Sequence, residues 1–176
     1  MQLKPQDVLV VLKLLAQGGR LGTFAELGKD LGMSPSECHA GLKRARLAGL
    51  IHPLEDVAVK SAVAELLIHG LKYMLPVSPG RRTRGIATGF AAPPLAVHFA
   101  VSPSDPNVPV WPDPEGEQAG VEIQPLCRSA PGAARRDAKL YEWLVLADAL
   151  RGAGRARERE LAEFMVRERL GRHANR

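Results

Sequence analysis

The chain has 176 residues, 45% of them hydrophobic, 24% charged and only 5% aromatic. That length holds one core, or one core with a smaller lobe, and the balance is that of an ordinary globular protein built on Leu, Val and Ala. No apolar run approaches the roughly 20 residues that cross a bilayer, and Cys38 and Cys127 are too few for a disulfide framework or a four-ligand zinc site.

The N-terminus, MQLKPQDVLV, carries Asp7 and no small-residue cleavage site. It does not read as a signal peptide, and a cytoplasmic location is expected. The net charge of +5 favours a polyanionic partner, and its distribution says more. Residues 1–50 hold seven Lys/Arg against four acids, and 77–91 hold three arginines and no acid. Residues 92–127 hold five acids and no Lys or Arg, and 128–176 hold twelve bases against seven acids. Basic parts therefore flank an acidic, proline-rich middle.

In chain order, Val8 to Ala16 predicts a helix that is apolar almost all round, started by Pro5 and Asp7 and stopped by Gly18-Gly19. Such a helix needs burial on more than one side, in a core or a dimer. Thr23 to Leu31 predicts a second helix, with Phe24, Leu27 and Leu31 on one stripe and Thr23 and Glu26 forming a capping box. Gly32-Met33 then makes a sharp turn. Ser34 sits where an N-cap belongs, with Pro35 at the first helical position and Glu37 three residues on. The third helix runs to Ala48-Gly49. Two short helices joined by a tight glycine turn describe a helix-turn-helix, whose second helix enters a DNA major groove.

In that second helix Cys38, Leu42 and Ala45 face the core, which makes Cys38 a packing residue rather than a redox sensor. Ser36, His39, Ala40 and Lys43 fall on the opposite side, in the half that reads bases. Ser34 stands at the helix start, and Arg44 and Arg46 flank the face within reach of phosphates. Leu47 is off the core stripe and asks for a partner from another element or subunit. From His52 to Lys60 only one short strand, Val57 to Val59, is legible.

Ser61 to Leu75 predicts a helix with Val63, Leu66, Leu67, Leu71 and Met74 on one stripe, and with His69 as a core or interface histidine. Residues 76–95 predict an irregular loop carrying Arg81, Arg82 and Arg84. That loop either binds phosphates as an arm or pairs with the acidic middle. Val108 to Trp111 and Val121 to Ile123 predict an edge hairpin around the acidic turn PDPEGEQAG. Asp137 to Leu150 and Ala156 to Leu170 predict two amphipathic helices, with a fraying tail after Gly171. His52, His69, His98 and His173 lack metal-ligand spacing, and no serine sits in a nucleophile elbow. Neither enzyme activity nor a metal or other cofactor is expected.

The stretch LGMSPSECHAGLKRARLAGLI resembles the winged helix-turn-helix transcriptional regulators of the MarR-like kind, in a phrasing close to LG-S-x-S-x-V-x-x-x-L-K-R-L-x-x-x-G-L-I. The resemblance covers residues 1–51 and departs after Ile51, where the usual charged wing is missing or shortened. As a whole the chain is similar to small bacterial regulators encoded beside toxin or nucleotidyltransferase partners, including the type IV antitoxins of abortive-infection systems. The resemblance implies an N-terminal winged helix-turn-helix, and with the composition of the rest it gives a mainly α fold: a winged-helix-like domain over 1–76, an Arg loop with a Pro/Gly-rich acidic segment over 77–134, and a C-terminal helical region over 135–176. It implies a dimeric repressor that binds double-stranded DNA. The alternative is an antitoxin whose C-terminal region clamps a partner protein.

Overall fold

The computed structural model describes residues 2–19, 21–152 and 154–171. In chain order its elements are the helices α1 (Pro5–Ala16), α2 (Phe24–Leu31), α3 (Pro35–Leu47), α4 (Lys60–Glu65) and α5 (Leu71–Met74), then the strands β1 (Arg82–Ala87), β2 (Pro109–Pro112) and β3 (Gln118–Glu122). The helices α6 (Ala130–Arg136), α7 (Ala138–Arg151) and α8 (Ala156–Gly171) follow. The chain is thus mainly helical with a small sheet. The tail after Gly171, expected to fray, and His173 lie outside the described residues.

Two units emerge, and neither is a single stretch of sequence. Residues 1–65 with 126–144 form the first, and residues 66–125 with 145–176 the second. The consecutive division expected from composition differs because the chain leaves the first unit at Leu66 and returns at Leu126. One unit boundary falls within α7, one at the end of α4 and one in the segment between β3 and α6.

In the first unit α1 begins one turn earlier than its apolar run, because Pro5 suits the first helical position and the Lys4 N–H donates to the Asp7 carboxylate at 2.8 Å. Residues Val8 to Leu12 and Leu14 are buried all round, as the greasy sequence demands. Two charged side chains share this burial, Asp7 and Lys13, exposed by 0% and 4%. Lys13 Nζ lies 3.0 Å from Asp30 at the end of α2 and 2.8 Å from Asp137. Asp137 uses its other oxygen to accept the N–H groups of Lys139 and Leu140, at 3.0 and 3.1 Å, and so caps α7. Arg136 Nε donates to the Asp30 carbonyl at 2.9 Å. One buried ammonium thereby ties the returning segment to α1 and α2.

The second unit carries the sheet. β1 pairs antiparallel with both β2 and β3, so those two must run in the same direction, and they pair in parallel. The edge hairpin expected around the acidic turn is therefore replaced by a closed three-stranded arrangement. The expected loop over 76–95 likewise contains β1, whose Thr83 and Ile86 suit a strand. Closure leaves no open edge beside the proline-rich segments.

A buried hub holds this unit together. Asp148 accepts from Thr88 Oγ1 and Trp111 Nε1, both at 2.7 Å, and from Arg151 Nε at 2.9 Å. Arg151 in turn donates to the carbonyls of Leu75 and Gln124. The α7 residues from Trp143 to Arg151 are buried all round, which corrects the amphipathic pattern expected over 137–150: Asp148 and Arg151 are buried at the hub. A π-helical turn over Leu66–Gly70 displaces the next stripe. Leu67, Ile68 and Leu71 are buried, while His69 and Met74, expected inside, are exposed.

Burial alone would lower the Lys13 ammonium, but its hydrogen bonds to Asp137 and Asp30 win and hold it above the ordinary lysine range. Burial likewise works against Asp137, whose carboxyl is nevertheless held below its ordinary 3.8 by Lys13 and the capping N–H groups. Such a depressed carboxyl stabilises the fold fully above 3.8, and its contribution is lost as pH falls through the folded value. Lys13→Met should cost about 2 kcal/mol near neutral pH, below the value for a sealed pair because both carboxylates are partly solvated. Urea unfolding of both proteins from neutral pH down to about pH 3 should show that cost shrinking with acidification.

Candidate nucleic-acid interface

Both sequence-predicted capping boxes are formed. The Glu26 N–H donates to Thr23 Oγ1 and the Thr23 N–H to Glu26 Oε2, at 3.2 and 2.8 Å. At the start of α3 the Glu37 N–H donates to Ser34 Oγ at 3.2 Å, and the Ser34 N–H and Oγ reach Glu37 Oε2 at 2.9 and 2.8 Å. Those two donors hold the Glu37 carboxyl below the ordinary range. Gly32, with φ at 66°, ends α2 in the left-handed conformation and leaves three residues between the helices.

α3 packs its Cys38, Leu42 and Ala45 side into the core, at 0%, 3% and 0% exposure. Burial also pushes the Cys38 thiol above its ordinary range, helped by the Glu37 charge, so it stays protonated and unreactive. Opposite, Ser36, His39 and Lys43 are exposed and Ala40 is half-buried. His39 stands edge-on to Phe24, ring centroids 5.1 Å apart. The contact holds the imidazole beside α2 while leaving the residue exposed. These four residues, spaced i, i+3, i+4 and i+7, form one continuous face of α3.

The other expected contact residues are occupied within the chain. The Ser34 hydroxyl is taken by the cap. Arg44 grips the buried Asp7 with Nε and Nη2, both at 2.7 Å, and Arg46 pairs with Asp56 while donating to the His52 carbonyl at 3.2 Å. Both guanidiniums are thus engaged within the chain. Helical spacing places both arginines on the flanks of that face, but it does not show that acids from α1 and the following loop meet them there. Gly41 permits the Arg44 contact, since a Cβ at that position would lie 3.0 Å from Asp7 Oδ1.

After α3 the chain doubles back. Ile51 and Ala58 form an antiparallel bridge, with the His52 N–H donating to Val57 at 2.8 Å and the Val59 N–H to Leu50 at 2.9 Å. A minimal hairpin thus stands where one short strand was legible, with Leu54 90% exposed between its arms. Leu47, which asked for a partner, is 67% exposed.

Arg81, Arg82 and Arg84 belong to the second unit and turn toward the acidic middle. Arg82 Nη1 donates to the Pro106 carbonyl at 2.8 Å, Arg84 Nη2 to the Glu117 carbonyl at 3.3 Å, and Arg81 Nε lies 3.7 Å from Glu122. All three arginines stay exposed while making these contacts with residues 92–127.

Basic residues that the sequence did not single out stand beside the turn between α2 and α3. The returning segment brings Arg128 and Arg136, both exposed, to an open cleft of about 530 Å³ that also includes Gly32, Met33 and Glu37. Arg128 lies some ninety positions from Met33 in the sequence, so no local pattern announces the meeting.

No protein-family model matches the chain, and no curated protein or solved structure matches it. Among the described residues no helix is long and apolar enough to cross a membrane, and no group of three or more His, Cys, Asp or Glu is placed to hold a metal ion.

The Asp7–Arg44 pair should be asymmetric. Arg44→Met strands a carboxylate that is wholly buried, with only the Lys4 N–H left, and should cost about 3 kcal/mol. Asp7→Asn should cost less, because Arg44 keeps a path to water. Equilibrium unfolding of both single variants and the double variant should give a double-variant cost smaller than the sum; additive costs would show that the pair is uncoupled.

Proposed function

We propose that this chain is a sequence-specific, double-stranded-DNA-binding transcriptional regulator of the winged helix-turn-helix kind, acting as a repressor dimer. The observation that carries the reading is the exposed face of Ser36, His39, Ala40 and Lys43 on a doubly capped helix pair. A face of hydroxyl, imidazole, methyl and ammonium groups suits the donor, acceptor and methyl pattern of major-groove base edges. The hairpin after α3 supports the winged form of the motif. Arg128 and Arg136 provide phosphate contacts beside the turn, in place of Arg44 and Arg46.

Repression follows from occupancy: a protein seated across a promoter excludes other proteins from it. A dimer places two reading helices about one helical turn apart on a palindromic site. Its interface would lie away from α1 and the second half of α7, since both are already buried.

Selection of bound duplexes from a randomised pool, followed by salt-titrated fluorescence anisotropy, tests this. A consensus should emerge. His39→Ala/Lys43→Ala should lower affinity for it by about tenfold or more while leaving weak non-specific binding in place. Arg128→Ala should weaken all duplexes alike and reduce the salt slope by about one. Failure to select a consensus, or equal discrimination by the His39→Ala/Lys43→Ala variant, would overturn the reading.

A further inference from the structure

The second unit contains a cavity of about 240 Å³ that the DNA reading does not use. Val77, Phe90, Pro109, Val121 and Ile123 form its apolar wall, and the Glu158 carboxylate from the first turn of α8 faces it. Glu158 is only 5% exposed. Asp148 also borders the cavity, but its oxygens are filled by Thr88, Trp111 and Arg151. Glu158 accepts from the backbone N–H groups of Phe90 and Arg155, and among the described residues the cation acting on it is Arg155, whose guanidinium lies over the Phe90 ring at 4.8 Å.

Two glycines make room for this carboxylate. A Cβ on Gly89 would lie 2.7 Å from Glu158 Oε1, and one on Gly154 would lie 2.8 Å from Oε2. Burial pushes the Glu158 carboxyl above its ordinary range, and the Asp148 charge adds to that against the two N–H groups and Arg155. An acid in this position gains from a cation brought into the cavity, whereas a second anion is repelled. Apolar walls around a few polar groups are also the usual composition of a small-molecule site.

We propose that the cavity binds a small, largely apolar molecule carrying one ammonium group, which donates to the Glu158 carboxylate while its hydrocarbon part lies against Phe90, Val121 and Ile123. At about 30 Å³ per water the space equals roughly eight waters, so the occupant has about eight to ten non-hydrogen atoms. 2-Phenylethylamine has that size and charge and serves as the test ligand. Its neutral analogue 2-phenylethanol and its acidic counterpart 3-phenylpropionate serve as comparisons.

Titration of the full isotope-labelled chain with each compound, without DNA, should move the Phe90 and Ile123 amide signals saturably with the amine. The alcohol should bind about tenfold more weakly and the acid more weakly still. Glu158→Gln should remove the preference for the amine, and Ile123→Trp should abolish binding by filling the space. The amine-to-alcohol comparison on the unaltered chain decides the matter even if a variant fails to fold. Equal binding of amine and alcohol, or no saturable shift with the amine, would overturn the proposal. Because no DNA is present, either result leaves the proposed regulator function to its own test.

Discussion

The first unit depends on one carboxylate that water cannot reach. Asp7 accepts the Lys4 N–H at the start of α1 and both donors of the Arg44 fork. It thereby begins one helix and docks another. Apolar stripes such as Cys38, Leu42 and Ala45 against α1 tolerate small rotations of α3, because dispersion contacts have no direction. Two hydrogen bonds at 2.7 Å to a buried carboxylate do not. The pair selects one rotation of α3, and that rotation turns Ser36, His39 and Lys43 outward. A residue with the chemistry of a phosphate contact thus serves instead to aim the face that would meet DNA.

The second unit repeats this logic with different groups. Asp148 draws Thr88, Trp111 and Arg151 to one buried point, and Arg151 extends the network to the carbonyls of Leu75 and Gln124. Few aromatic residues and many prolines leave that segment short of regular packing area. A fully satisfied polar hub compensates by fixing direction as well as proximity. α7 contributes to both schemes: its cap, Asp137, meets Lys13 in the first unit, and its last turn carries Asp148 and Arg151 in the second.

Local chemistry made the helix pair legible before any coordinates. A capping box needs only residues three apart, and a helix stripe only those three or four apart, so Thr23/Glu26, Ser34/Glu37 and Cys38/Leu42 could be read directly. What escaped was whatever joins distant segments. Asp7 looked like a helix-start signal, Lys13 stood inside a run read as apolar almost all round, and Asp148 fell in a helix read as amphipathic. Each is buried because a partner arrives from elsewhere in the chain. β1 was hidden for a related reason: glycines and arginines read as a loop until two strands from the acidic middle close around them. Within the candidate site, exposure of Ser36, His39 and Lys43 followed from spacing, but the commitment of Arg44 and Arg46 and the approach of Arg128 and Arg136 did not.

The central claim is that the outward face of α3 meets DNA and that the returning segment supplies the adjoining phosphate contacts. An amide chemical-shift map of the labelled chain, titrated with a duplex recovered by selection, tests it most directly. The largest shifts are expected at Ser36, His39, Ala40 and Lys43, with a second group at Arg128 and Arg136 and little change along Arg82–Ala87. Shifts concentrated on Arg82–Ala87 or on α8, with α3 unmoved, would contradict it.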